Sequence, residues 1–282
     1  MHGHIKIWLI AALLVILAGC ILFAAGMSGL VWDFENLSTE QFETNAHTVH
    51  EDFQYISVTA GTADISVLPS MDKQVSVVCY ESTTEKHAVF VENKTLTVQL
   101  EDHSHWYEHI GIAFDSPKIT IYLPQEVYGA LSVTVSTGSI TVTEDFQFDV
   151  LDLTATTGDI RAEGLTAGKI EVSASTGQVF LRNITCKTLR SRGNTGDMAL
   201  ENVTAAETIH ITRSTGSILF DRCDAPDITA VTDTGDITGS LRSGKVFHTS
   251  ADTGKVDVPK DAPGGTCEVS TDTGDISLRI SP

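Results

Sequence analysis

Acidic side chains recur at fixed places beside Thr-Gly pairs in the C-terminal third of the chain. Asp233, Asp252 and Asp272 stand two residues before a glycine, and Asp236 and Asp275 stand one residue after it. Closely spaced carboxylate oxygens are ligands that Ca²⁺ prefers, so these five residues are candidate calcium ligands. The alternative is turn chemistry, in which each aspartate accepts hydrogen bonds from nearby backbone amides. Like charges about 4 Å apart in water repel by only about 1 kcal/mol, so no metal is required, and we favour turn chemistry.

A second polar cluster lies at residues 101–109, where three histidines occur within seven positions. Imidazole nitrogens bind transition metals, so this segment is a candidate metal site. Trp106 and Tyr107 in the same segment could also stack against a sugar. An exposed polar loop explains the composition more simply, and it is the interpretation we adopt.

Catalytic signatures are absent from the sequence. It contains no Gly-x-Ser-x-Gly, no His-Glu-x-x-His and no phosphate-binding loop. The five cysteines lack metal-ligand spacing and are expected to be small buried hydrophobic residues. We therefore predict no catalysis and no cofactor other than the possible Ca²⁺. The alternative is a surface polysaccharide-active enzyme on a β-helix, which would need long loops around a cleft.

The dominant feature is a Thr-Gly pair that occurs eight times at intervals of 19 or 20 residues. An apolar residue follows each glycine by two positions, and in most repeats another follows by four, which places both on one face of a strand. Glycine tolerates positive φ, so each pair predicts a corner between two strands. Repeats of this length are shorter than a propeller blade and predict an all-β fold, a β-solenoid with one coil per repeat. The predicted corner residues are Gly138, Gly158, Gly177, Gly196, Gly216, Gly235, Gly254 and Gly274.

The coils are expected to stack in the order of the sequence. Gly274 would then lie in the last coil, and Lys255 would stand between Asp236 and Asp275. Irregular repeats are expected at the end of such a stack, where a cap is required. We predict eight regular repeats over residues 131–282, preceded by degenerate β repeats that form a cap over residues 46–130.

The N-terminal residues predict a membrane anchor at 1–32, followed by a polar spacer at 33–45. Ile7–Leu30 carries no charge, and a helix of this length crosses a hydrocarbon core of about 30 Å. Lys6 precedes the segment, which predicts a single-pass protein with a cytoplasmic N-terminus and an extracytoplasmic repeat domain. The alternative is a lipoprotein signal ending at Cys20, whose thiol would be lipidated.

The overall charge limits the partners. The chain has 37 acidic and 18 basic residues, for a formal net charge of −19. Nucleic acids attract lysine and arginine, so this balance argues against nucleic-acid binding. A cell-envelope or surface ligand is the partner class that we expect.

The Thr-Gly-Asp-Ile corners, spaced by 19 or 20 residues after one apolar N-terminal segment, resemble those of bacterial β-strand-repeat surface proteins. These form a domain-of-unknown-function family labelled "putative adhesin", and the resemblance covers residues 46–282. It implies an exported β-solenoid-like domain, with no known reaction and no assigned site residues. The sequence departs from the pattern at Gln178, Lys255 and Met198. The predicted function is a membrane-anchored extracytoplasmic module for binding, adhesion or association with the cell envelope.

Overall fold

The structure is a computed structural model that describes residues 2–29, 41–101 and 115–281. The histidine cluster within residues 103–109 therefore lies outside the described residues. The chain divides into one unit formed by residues 1–41 and 104–115 and a second formed by residues 42–103 and 116–282.

The first unit contains the helix α1, His2–Gly29. Its large apolar side chains that the structure describes are exposed, among them Trp8 and Leu22. Within the described parts of the chain, no helix is long and apolar enough to cross a membrane. The transmembrane assignment of Ile7–Leu30 is thus not supported by the structure.

The second unit is all-β, and its described part contains 21 strands. Those of the N-terminal part are β1 Phe42–Val49, β2 Tyr55–Thr62, β3 Asp64–Pro69, β4 Val75–Ser82, β5 His87–Glu92, β6 Thr95–Leu100 and β7 Lys118–Leu123. Those of the repeats are β8 Val127–Thr137, β9 Ile140–Val142, β10 Gln147–Thr157, β11 Ile160–Glu163, β12 Thr166–Thr176, β13 Val179–Thr195, β14 Met198–Thr215, β15 Ile218–Cys223, β16 Asp227–Thr234, β17 Ile237–Leu241, β18 Val246–Thr253, β19 Val256–Asp257, β20 Thr266–Thr273 and β21 Ile276–Ile280.

Successive repeats pair in parallel and in register, so that equivalent residues lie side by side. Thr157, for example, pairs with Thr137 on one side and with Thr176 on the other. Inward positions alternate with outward ones along every strand, because successive side chains point to opposite faces. The solenoid-like all-β fold predicted from the repeat is therefore confirmed.

The core is built from the columns of apolar residues predicted from the repeat. In the column two residues after each corner glycine, seven side chains are at most 1 % exposed, whereas Val256 is 44 % exposed. The seven buried members are Ile140, Ile160, Val179, Met198, Ile218, Ile237 and Ile276. Val256 is the exception because its coil lies at the end of the stack.

The last two repeats do not stack in sequence order, which corrects our expectation. Strand β20 pairs with β16 on one side and β18 on the other, and β21 lies in the same way between β17 and β19. The coil that contains β20 lies between two other coils, and its inward residues Cys267 and Val269 are fully buried. The repeat with Thr249 at the equivalent inward position forms the end coil, which buries less surface.

Antiparallel strands cover the opposite end of the stack. Strands β2 and β3 form a coil that pairs in parallel with β8 and β9 and, on its other side, with β6 and β7. Strand β4 pairs antiparallel with β7 and β1, and β5 pairs antiparallel with β6. This mixed arrangement departs from the regular repeat, and we call the strands β1, β4 and β5 the N-terminal cap.

Candidate functional site

The glycine corners form one edge of the stack. All eight glycines of the repeat adopt φ between +127° and +152°, a region that favours glycine. A Cβ at any of them would lie 1.9–2.2 Å from a carbonyl oxygen of the neighbouring coil. For Gly196 that atom is the carbonyl oxygen of Gly177. The backbone path that these corners share thus depends on two separate requirements, a positive φ and the absence of a side chain.

The aspartates after the glycines bond to the neighbouring coil. The carboxylate oxygen Oδ1 of Asp236 accepts a hydrogen bond from the amide of Asp275 at 2.8 Å, and Oδ1 of Asp275 accepts one from the amide of Lys255 at 2.8 Å. Asp275 therefore stands between Asp236 and Lys255, which corrects the order expected from the sequence. Asp159 and Asp197 bond in the same way to the next coil.

The aspartates before the glycines face solvent. Asp233, Asp252 and Asp272 are exposed, beside an exposed ladder of threonines. Among the residues that the structure describes, neither aspartate column supplies a group of three ligand atoms close enough for one ion. Calcium binding at these positions stays a prediction that only a binding measurement can test.

A second corner, six or seven residues after the corner glycine in five of the eight repeats, was missed by the sequence analysis. The residues at this corner have φ between +52° and +65°, in the left-handed region. Asn183 and Asn202 stack here, and Nδ2 of Asn202 donates to Oδ1 of Asn183 at 2.7 Å. The signal was present, because asparagine, aspartate and glycine tolerate this conformation best. The corner residues are Asp145, Gly164, Asn183, Asn202 and Arg222.

The outer face of the sheet beyond the glycine corners carries an apolar depression. Phe180, Ala199 and Leu219 lie side by side on adjacent strands, because Phe180 pairs with Ala199 and Ala199 with Leu219. A small residue between two large ones leaves a notch, and the depression has a volume of about 420 Å³. Leu219 is 46 % exposed. We call this feature the Ala199 depression.

Polar groups surround the Ala199 depression. The guanidinium carbon of Arg161 lies 4.9 Å from the centre of the Phe180 ring, in a cation–π arrangement. Gln178, Ser217 and Thr238 also line the depression and offer an amide and two hydroxyl groups. An apolar floor with a few polar groups at its margin is typical of a small-ligand site.

A row of ion pairs runs beside the depression on the same sheet. Arg182 contacts Glu163 at 3.3 Å and Glu201 at 3.6 Å, and Arg222 contacts Glu201 at 3.7 Å. These side chains are partly exposed, so each pair contributes at most about 1 kcal/mol to stability. The row leaves no strong charge of one sign next to the depression.

The four described cysteines of the second unit are free and buried. Burial raises the pKa of Cys186 and Cys267 to about 12 and that of Cys223 to about 11. These three thiols are therefore protonated near neutral pH and are poor nucleophiles.

Several solved structures match this chain, among them one from Bacteroides fragilis and one from Parabacteroides distasonis. A protein described as a "putative adhesin" from Bacteroides fragilis NCTC 9343 matches with a TM-score of 0.58 and 17 % identity, over 85 % of this chain and 97 % of that one. A "putative lipid binding protein" from Parabacteroides distasonis ATCC 8503 matches with a TM-score of 0.53 and 15 % identity, over 87 % and 98 %. At these identities the likeness concerns the fold alone.

Comparison with curated proteins finds no match. The family model of Toastrack DUF4097 matches residues 53–281, which is most of the chain. The family resemblance inferred from the Thr-Gly corners is therefore confirmed, and the chain belongs to the Toastrack DUF4097 family.

Proposed function

We propose that this protein is a non-catalytic binding module and that the Ala199 depression receives an uncharged sugar unit of a cell-envelope polysaccharide. The observation that carries the proposal is the adjoining row of Phe180, Ala199 and Leu219, in which Leu219 is exposed and the other two are partly buried, on a sheet whose outward positions are otherwise largely polar. Exposed apolar residues that adjoin one another mark interaction sites more often than isolated ones do.

The chemistry of the depression suits a sugar ring. Arg161 lies over Phe180 from the preceding coil, and Ala199 follows Phe180 in the next coil, where its methyl group leaves space beside the ring. A sugar ring presents C–H groups on one face and hydroxyl groups around its edge. The first would contact Phe180 and Leu219, and the second would bond to the side chains of Gln178 and Ser217.

Charge favours a neutral ligand. The net charge of −19 repels anionic polymers at long range. The mixed ion pairs beside the depression do not form a basic patch that would attract a polyanion locally. An uncharged polysaccharide is the ligand class most compatible with both features.

Binding of the full chain to neutral cell-envelope polysaccharides, measured by calorimetry, tests the proposal. Ala199→Trp should fill the depression and weaken binding at least tenfold. Asp257→Trp is the matched control, because Asp257 is an exposed outward residue of the same sheet and is separated by Ser277 from Thr238, which lines the depression. Equal effects of the two substitutions, or no binding to any neutral polysaccharide, would contradict the proposal.

The absence of catalysis is a separate part of the proposal. It rests on the missing catalytic motifs and on repeats that differ in length by only one residue, which leaves little room for long loops. Incubation of the chain with cell-wall glycans should release no new reducing ends. Steady release of sugar would establish the alternative, a polysaccharide-active enzyme.

We also propose that the domain is extracytoplasmic and attached to the cell membrane through its N-terminal segment. The support is the uncharged run Ile7–Leu30, which follows the cationic Lys6. Protease added to intact cells should remove the repeat domain. Labelled palmitate on Cys20, with loss of the first 19 residues, would identify a lipoprotein.

A further inference from the structure

The N-terminal cap contains a compact cluster of metal-ligating side chains that the binding function does not use. Cys79 and Glu81 lie on β4, and His87 begins β5. One ligand atom from each residue lies within 4.8 Å of those of the other two. The three residues are 0 %, 1 % and 6 % exposed, so the cluster is closed to solvent.

The geometry points to a zinc site formed by Cys79, Glu81 and His87, and we propose that one Zn²⁺ binds there and cross-links β4 to β5. Sulfur, carboxylate oxygen and imidazole nitrogen are the three donor types that bind Zn²⁺ in proteins. Calcium and magnesium prefer oxygen ligands alone, so the thiol favours a transition metal. Closed sites of this kind are structural rather than catalytic.

The distances allow the ion to bind with small movements. Three atoms no more than 4.8 Å apart share a point within about 2.8 Å of each, which is 4.8 Å divided by √3. Zinc bonds to these donors are about 2.0–2.3 Å long. The ligand atoms must therefore move by at most about 0.5–0.8 Å to reach bonding distance.

The hydrogen bonds of the cluster show where the ion would enter. Oε2 of Glu81 lies 2.7 Å from Nδ1 of His87 and also accepts the backbone amide of His87 at 2.7 Å. Zinc would replace the contact between the carboxylate and the imidazole, with a carboxylate oxygen of Glu81 and Nδ1 of His87 as ligands, and the proton of the Cys79 thiol would leave to solvent.

Burial and the neighbouring Glu81 carboxylate raise the pKa of Cys79 to about 12, so the thiol is protonated without a metal. Zinc binding deprotonates a coordinating thiol. Binding of the ion therefore releases the proton of the Cys79 thiol.

Strand β1 supplies two further groups on the same side. Nδ2 of Asn45, which pairs with Cys79, donates to Oε1 of Glu81 at 2.9 Å and orients the carboxylate. His47 lies two residues further along the same face of β1, and within the described residues its buried Nε2 has no hydrogen-bond partner. His47 is outside the group of ligand atoms that lie together, so the ligands that we assign are Cys79, Glu81 and His87.

The test measures zinc directly in the full chain. After incubation with excess Zn²⁺ and desalting, elemental analysis should find one zinc per chain in the wild type. Cys79→Ser and His87→Gln should each lose this zinc. Cys267→Ser should retain it, because Cys267 is an equally buried thiol outside the cluster. Zinc that is absent from the wild type, or that survives Cys79→Ser, overturns the proposal.

Cobalt substitution provides a second readout that does not depend on the variants folding. Co²⁺ bound to the wild type should give a thiolate-to-metal charge-transfer band in the near ultraviolet, which only a cysteine ligand produces. The band should persist in Cys267→Ser. A wild-type cobalt spectrum without that band would mean that Cys79 is simply a buried thiol beside a hydrogen-bonded Glu81–His87 pair, and the site would be rejected.

Discussion

The amide of Gly274 donates a hydrogen bond of 2.9 Å to the carbonyl oxygen of Thr253, so the chain's last corner lies inside the stack. On its other side, the amide of Gly235 bonds to the carbonyl oxygen of Thr273 at 2.9 Å. The C-terminal repeat is thus inserted between two repeats that precede it. The end of the chain is held by strands on both sides, and the end of the stack is the repeat that contains Gly254.

The stacking order of the coils predicts that substitutions at Gly274 and Gly254 differ in their effect on the free energy of unfolding. Gly274→Ala places a Cβ 2.1 Å from the carbonyl oxygen of Gly235, in a coil with neighbours on both sides. Gly254→Ala creates a similar conflict with Gly274, but the end coil can shift outward. We expect Gly274→Ala to lower the free energy of unfolding by about 1–3 kcal/mol and Gly254→Ala to have a smaller effect.

Urea unfolding of the full chain measures both changes, with the m-value checked for loss of two-state behaviour. Gly61→Ala is the control, because a Cβ at Gly61 meets nothing within 4 Å, and it should change the free energy by less than about 0.5 kcal/mol. A larger loss from Gly254→Ala than from Gly274→Ala would argue for stacking in sequence order.

The repeat allowed the fold to be predicted, but not the order of its last coils. The Thr-Gly spacing and the apolar columns determine the corners and the inward faces. Every repeat carries nearly the same corner, however, so the corner does not specify which neighbour it pairs with. The difference lies in the inward residues, where Val269 favours a covered position and Thr249 tolerates the end of the stack.

The candidate site was harder to predict because its residues are dispersed. Phe180, Ala199 and Leu219 are 19 or 20 residues apart, and only the coil register brings them together. The signal was an apolar stretch in an outward column that is otherwise largely polar, as at Thr141 and Ser277. The aspartate columns drew attention first because charged residues at turns suggest chemistry. Two of these five carboxylates, Asp236 and Asp275, bond instead to backbone amides of the neighbouring coil.

The role of the aspartate column can be tested at Asp236. Its Oδ1 accepts the amide of Asp275, and asparagine can supply the same acceptor. We expect Asp236→Asn to leave the free energy of unfolding almost unchanged and Asp236→Ala to lower it by about 0.5–1 kcal/mol. Excess Ca²⁺ should not alter the melting temperature of any of these proteins. A calcium-dependent rise that disappears in Asp236→Asn would establish the calcium site.

A buried lysine, Lys245, precedes strand β18 at the crossover between the last repeats. Nζ of Lys245 is fully buried, contacts Oδ1 of Asp224 at 2.7 Å and donates to the carbonyl oxygen of Gly264 at 2.9 Å. Lys245→Met leaves both acceptors without this donor. We expect the free energy of unfolding to fall by about 2–4 kcal/mol, less than for a fully buried pair because Asp224 is partly exposed.

Lys187→Met is the matched control for Lys245→Met in urea unfolding. Lys187 contacts Glu207 at 3.3 Å, but both side chains are more than half exposed. The control should cost less than about 1 kcal/mol. Similar effects of the two substitutions would show that the buried pair does not hold the crossover.

Arg213 lies buried inside the stack, where we expect it to reduce stability. Its side chain is 3 % exposed and occupies the space that Gly193 leaves free. Nη2 lies 3.2 Å from Oγ of Ser191, but within the described residues Nε and Nη1 have no hydrogen-bond partner. Burial lowers the pKa of Arg213 to about 10, which means that the fold disfavours the charged form.

Removal of the buried Arg213 charge should stabilise the fold at neutral pH. Below about pH 10 the guanidinium is charged in both folded and unfolded chains, so the cost of burying it is fully present at neutral pH. Arg213→Met keeps the apolar stem and removes the charge, and it should raise the free energy of unfolding at pH 7 by about 1–4 kcal/mol. Arg190→Met, at an exposed position, should change it by less than about 0.5 kcal/mol. If urea unfolding instead shows Arg213→Met to be destabilised, the guanidinium must be stabilised by a bound anion or by ordered water.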